Sequence, residues 1–193
     1  MAGSIKIAGH EHIRHDIATD KLVYGTGVPA GTVLQVLQSV KTDTDSTTNS
    51  IANGFDTITG TDQSGTGSIF SVVITPKASG SHFFITAAMT LSITAANIIM
   101  LASQRDGTTL TVSQGGNDSN SMFHTYLAGI SSNSYNHTMQ FMDKNANAVK
   151  DTNIVYRPVV CRDGGSATIY VNRLSAYETH RAISTFTVME IAA

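Results

Sequence analysis

The chain has 193 residues, a single cysteine, no tryptophan and a formal net charge of −2 at pH 7. Charged residues are 13% of the total, about half the usual share. No Lys/Arg run exists to neutralise phosphates and no stretch of ~18 uncharged apolar residues could span a bilayer, so neither nucleic acid nor membrane insertion is expected.

A chain of this length buries roughly 70% of its unfolded surface, so it can fold without disulfides. Cys161 cannot pair within the chain and reads as a small hydrophobe in a strand. The opening sequence, MAGSIKIAGHEHIRHD, lacks a signal-peptide apolar region, and synthesis in a cytosol is expected. The polar residues are mostly Ser, Thr, Asn and Gly, which suits proteins that work outside cells or on assembled particles.

Residues 1–30 form a distinct leader. It carries three of the seven histidines, His10, His12 and His15, and ends in the Gly/Pro run Gly25–Gly31. Its apolar residues show no sustained period, so it is expected as an extended arm that docks on a partner or a neighbouring copy. Ile5, Ile7, Ile13 and Ile17 are the candidate docking contacts. On a strand, His10 and His12 would project to one side and could share a metal ion, completed at the axis of a symmetric trimer. Solvated histidines in a docking arm are the alternative, and neither a metal nor another cofactor is assigned.

Residues 31–193 read as one domain of successive strands. In Val33–Lys41 the alternation places Leu34, Val36 and Val40 on one face. Thr42–Ser50 is a polar loop, and Asn53-Gly54 and Asp62–Ser68 are turn or loop signals. Phe70, Val72 and Ile74 alternate up to Pro76, which ends that strand. His82–Ile93 (HFFITAAMTLSI) is the clearest element, with Phe83, Ile85, Ala87, Met89, Leu91 and Ile93 at every second position. Asn97–Arg105 is apolar without alternation and should be covered on both faces.

Asp106-Gly107 is a hairpin turn, because both residues tolerate positive φ. Tyr135, His137, Met139 and Phe141 alternate again. Ile154–Cys161 is a strand that Pro158 assigns to an edge or a bulge. Asp163-Gly164-Gly165 turns the chain into Thr168–Asn172, and Ser184–Ile191 closes it. No segment shows capped helical spacing. The whole reads as an all-β, antiparallel β-sandwich of jelly-roll type with an extended N-terminal arm.

Catalytic signatures are missing. There is no G-x-S-x-G elbow, and most acids (Asp43, Asp45, Asp62, Asp106, Asp118, Asp163) fall in expected turns, with only Glu190 inside a strand. Gly25-x-Gly27-x-x-x-Gly31 has the wrong spacing for a phosphate loop and precedes a strand. Tyr126, Tyr135, Tyr156, Tyr170 and Tyr177 could stack on sugars, anchor an interface or pack in the sheets. Tyr126, Tyr135 and Tyr177 are the candidates for surface contact. No enzyme is expected.

GTVLQVLQ at Gly31–Gln38, FSVVITP at Phe70–Pro76, GGSATIYVNR at Gly164–Arg173 and the closing STFTVMEIAA occur in an order that resembles small bacteriophage virion proteins. These are β-sandwich modules of tail fibres, head fibres and related appendages, especially of marine phages. The resemblance covers roughly residues 31–193 and implies a virion location after synthesis in the host bacterial cytoplasm. It also implies frequent homotrimers, capsid, tail or fibre partners, and exposed loops that touch host-surface glycans. It transfers no catalytic residue. The expected function is a non-enzymatic virion appendage or decoration module, with a free-standing carbohydrate-binding (lectin-like) module as the alternative.

Overall fold

The structure, a computed structural model, describes residues 28–60, 69–110, 123–127, 133–177, 179 and 181–193, and the backbone of three strands within residues 4–24. Those three, β1 (Ser4–Ile7), β2 (His10–Asp16) and β3 (Lys21–Tyr24), form an antiparallel sheet in the order β1-β2-β3. Ile5 pairs with Ile13, and Ile13 with Tyr24. The alternation criterion finds no strand here, because these short segments mix apolar and charged residues. Antiparallel neighbours separated by short connections need only local backbone pairing.

The domain follows with β4 (Val33–Lys41), β5 (Asp45–Thr47), a 3-10 turn at Ile51–Asn53, β6 (Asp56–Thr57), β7 (Val72–Ile74) and β8 (His82–Ile93). Then come β9 (Asn97–Arg105), β10 (Thr108–Thr109), β11 (Phe123–Leu127), β12 (Tyr135–Asp143), β13 (Ile154–Arg162), β14 (Ile169–Val171) and β15 (Ser184–Ile191).

They form two six-stranded sheets. In the first, β8 pairs with β12 on one side. On its other side it pairs with β15 along its first half and β14 along its second, and β4 and β5 lie beyond these. In the second, β13 lies between β9 and the pair β6/β7, while β10 and β11 pair with β9. The principal strands, in chain order, are β4, β6/β7, β8, β9, β11, β12, β13 and β15. The first sheet then runs first-eighth-third-sixth and the second runs second-seventh-fourth-fifth. That interleaving is the double Greek key of a jelly roll, as expected.

The core lies between the sheets. Ile85, Ala87, Met89, Phe186 and Val188 of the first meet Val72, Ile74, Ile99, Leu101 and Val160 of the second. Phe83 packs on Tyr156 with ring centroids 5.5 Å apart, and Phe70 on Phe186 at 6.3 Å. Over residues 82–89 of β8 the alternating apolar residues are the buried ones, as the period of two requires, and beyond them Thr90 and Ser92 are buried as well. Asp106 and Gly107 turn with φ of 49° and 84°.

Three local expectations change. Leu34 is buried while Val36 and Val40 are exposed. The register with β15 slips between Glu190 and Ile191, so Leu34 is an extra residue in a bulge and reverses the parity of the strand. Pro158 stands in a central strand, opposite Ser103. It is tolerated because β7 pairs only with residues 154–156 of β13 and β6 with 159–160, leaving a break in the ladder at Pro158. The Thr42–Ser50 loop contains β5, three residues paired to β14.

Candidate assembly surface

The outward sides of the two sheets differ. On the second, Met100, Ala102, Val159 and Cys161 face away from the core yet are buried, so this chain covers the centre of that face itself, while His124 and Tyr126 of β11 stay exposed on it. Asn97–Arg105 was expected to be covered on both sides, and its residues 99–104 are buried. The first sheet's outer face is left partly open.

Its residues follow from the register. Val36, Met189, Phe84 and Met142 form one row across β4, β15, β8 and β12. Val33, Ile191 and His82 form the row below. Above lie Gln38, Thr187, Thr86 and Gln140, then Val40, Thr185, Ala88 and Thr138. Val33, Val36 and Val40 are 45%, 51% and 41% exposed. Met189, Ile191, Phe84 and Met142 are half-buried. No Asp, Glu, Lys or Arg stands in any of these rows, whereas Arg157 of β13 stands on the outward side of the second sheet. Solvated sheet faces normally carry interspersed charges, which also discourage unwanted pairing.

Buried polar groups fix the strands that present the apolar row. Glu190 lies between Met189 and Ile191 with its side chain inside the sandwich, fully buried. Its carboxylate accepts hydrogen bonds from Gln35 Nε2 (2.6 Å), Lys77 N (2.8 Å), Ala78 N (3.1 Å) and Ser81 Oγ (2.7 Å). One carboxylate thereby ties β15 to β4 and to the β7–β8 connection. At the other side Asp143, next to Met142, accepts from Arg105 Nη1 (2.6 Å), Tyr156 OH (2.8 Å) and Asn145 N (3.0 Å).

Burial opposes the Arg105 charge, but the hydrogen bond and charge of Asp143, with help from Tyr156, hold its pKa above the ordinary value. Burial and then the Asp143 charge raise the Tyr156 phenol, so it stays neutral and donates. The expectation that only Glu190 would be an acid within a strand is corrected: Glu11, Asp16, Asp45, Asp56 and Asp143 are also strand residues.

The leader joins the domain beside the apolar row. Gly31 N donates to Ala192 O at 2.8 Å and Ala192 N to Thr32 O at 2.9 Å, next to Val33 and Ile191.

Ile5 and Ile7 fall in β1 and Ile13 in β2, while Ile17 lies outside the described residues. His10, His12 and His15 are in β2, with only their backbone described. No group of three metal-ligating side chains occurs among the described residues. Tyr126, Tyr135 and Tyr177 are exposed, and Tyr156 is a core residue. Tyr135 stacks obliquely toward His137 at 6.4 Å. Cys161 is buried, its thiol pushed up to about 12 by burial and by Asp163, so it stays protonated.

Only part of the outward apolar row is legible in the sequence, where Phe186–Ile191 carries apolar residues on both faces of its strand. Phe84 and Met189 were recognisable as large residues in otherwise small or hydroxylated sets, but Val36 needed the bulge and Met142 the register.

No protein-family model matches the sequence, and no curated protein does. Among solved structures, the chain is similar to one of infectious bursal disease virus, Gx strain (16% identity, 98% of this chain, 43% of that chain, TM-score 0.32). It is also similar to the VP2 subviral particle of that virus (14%, 98%, 43%, TM-score 0.35) and to its Gt strain (12%, 100%, 46%, TM-score 0.33). The chain thus spans less than half the length of each.

Proposed function

We propose that this chain is a structural subunit of a virus particle, a jelly-roll module that packs against other virion proteins and catalyses nothing. The observation that carries the reading is the uncharged outer face of the first sheet, presented by a jelly roll whose other sheet is covered at the centre of its outer face. Jelly rolls serve as capsid modules, lectins and cupins. An extended, partly apolar, chargeless face serves packing on neighbours better than it serves ligand capture in a cleft.

The sequence resemblance supports a bacteriophage appendage or decoration protein within this reading. Residues 1–30 are then the docking segment, and the exposed rings of Tyr126, Tyr135 and Tyr177 are the part offered to a host-surface glycan. The test is sedimentation of phage particles carrying this gene through a density gradient, followed by peptide mass spectrometry of each fraction. The protein is expected in the particle band at a fixed ratio to the major capsid protein. Recovery only from the particle-free fractions would overturn the proposal.

A further inference from the structure

We infer that the apolar row of the first sheet, centred on Val36, Met189, Phe84 and Met142, is covered by a second copy of this chain. The inference rests on the subunit reading above and names the partner of that face.

Charge argues for a copy in place of a foreign partner. A two-fold contact sets the same patch against itself, so groups near its axis meet their own copies, and like charges juxtaposed there are costly. The four rows contain no Asp, Glu, Lys or Arg, while the outward side of the second sheet carries Arg157. A face that recognised a partner of opposite charge would have kept some of its own.

Size agrees. The face is four strands wide and β4 is nine residues long. At ~4.8 Å between strands and ~3.3 Å per residue it covers roughly 570 Å². Two copies together bury about 1,100 Å², just above the lower bound of roughly 1,000 Å² for a specific interface. Such a contact is weak between free molecules and becomes firm where many copies are held close, as on a particle.

The test uses the full chain, with its mass followed by light scattering against concentration, beside Val36→Asp and Phe84→Asp. Val36 sits on an edge strand and is half exposed, so its substitution leaves the fold intact by circular dichroism and melting temperature. We expect the unchanged chain to self-associate as its concentration rises, and each substitution to weaken this at least tenfold. Association unaltered by Val36→Asp would overturn the inference. A chain that stays monomeric at every concentration, with the row covered by its own residues 1–30 or by another protein, would overturn it equally. Self-association through this row by a protein that never enters particles would refute the proposed function alone. Incorporation of Val36→Asp into particles at the full ratio would refute the copy contact alone.

Discussion

Asp143 ends β12 with its carboxylate turned inside, where Arg105 and Tyr156 of the opposite sheet both donate to one of its oxygens. Removing one partner of a buried pair leaves the others unsatisfied. Arg105 is partly exposed, which softens the effect. Asp143→Asn should therefore lower stability by about 2 kcal/mol in urea unfolding, and a double-mutant cycle with Tyr156→Phe should show coupling.

His137 presents a second residue-scale test. It is buried between Phe123 (centroids 5.7 Å) and Tyr135, and its Nε2 has no hydrogen-bond partner among the described residues. Burial lowers its pKa in the folded protein. The unfolded chain then binds the proton more readily, so the contribution of neutral His137 is present above its unfolded pKa of about 6.5 and is lost as the pH falls below it. Stability measured at pH 7.5 and pH 5 should fall more for the unchanged chain than for His137→Phe. An equal fall in both would exclude this histidine as the source. Neither feature was legible in the sequence, since Arg105 and Asp143 lie 38 residues apart and meet only through the packing of the sheets.

At the scale of the element, β15 shows how an inner residue controls an outer surface. Glu190 is held by donors from β4 and from the β7–β8 connection, and its neighbours Met189 and Ile191 belong to the apolar rows. Glu190→Ala would leave the Lys77 and Ala78 amides without their acceptor, while the Ser81 hydroxyl keeps the Ala78 carbonyl, at a cost of about 3 kcal/mol. Hydrogen exchange should rise first at residues 77–81. Glu190→Gln should recover only part of the loss, because its amide group places donors against donors.

The long strands were readable from alternation because one of their faces is buried in the sandwich: β8 and β15 have the boundaries that their apolar spacing requires. Where partners decide, the pattern misleads. The bulge at Leu34 turned Val36 and Val40 outward, and Pro158 entered a central strand because its neighbours on one side change at that point. The strands of the leader rest on backbone pairing that their composition does not announce.

For the whole molecule, the strand order gives two sheets with different fates. The second sheet is buried on both sides at the centre of β9 and β13, whereas the first presents rows without a charge, bordered by the point where the leader departs. That asymmetry makes the domain a module with one side finished and one side requiring neighbours. For the proposed function, the most direct measurement is a side-chain-resolution electron cryomicroscopy reconstruction of the virus particle whose genome encodes this chain. The account predicts density into which this jelly roll fits, with Val36, Met189, Phe84 and Met142 buried against another copy. A particle fully accounted for by other proteins, with no density of this shape, would contradict it.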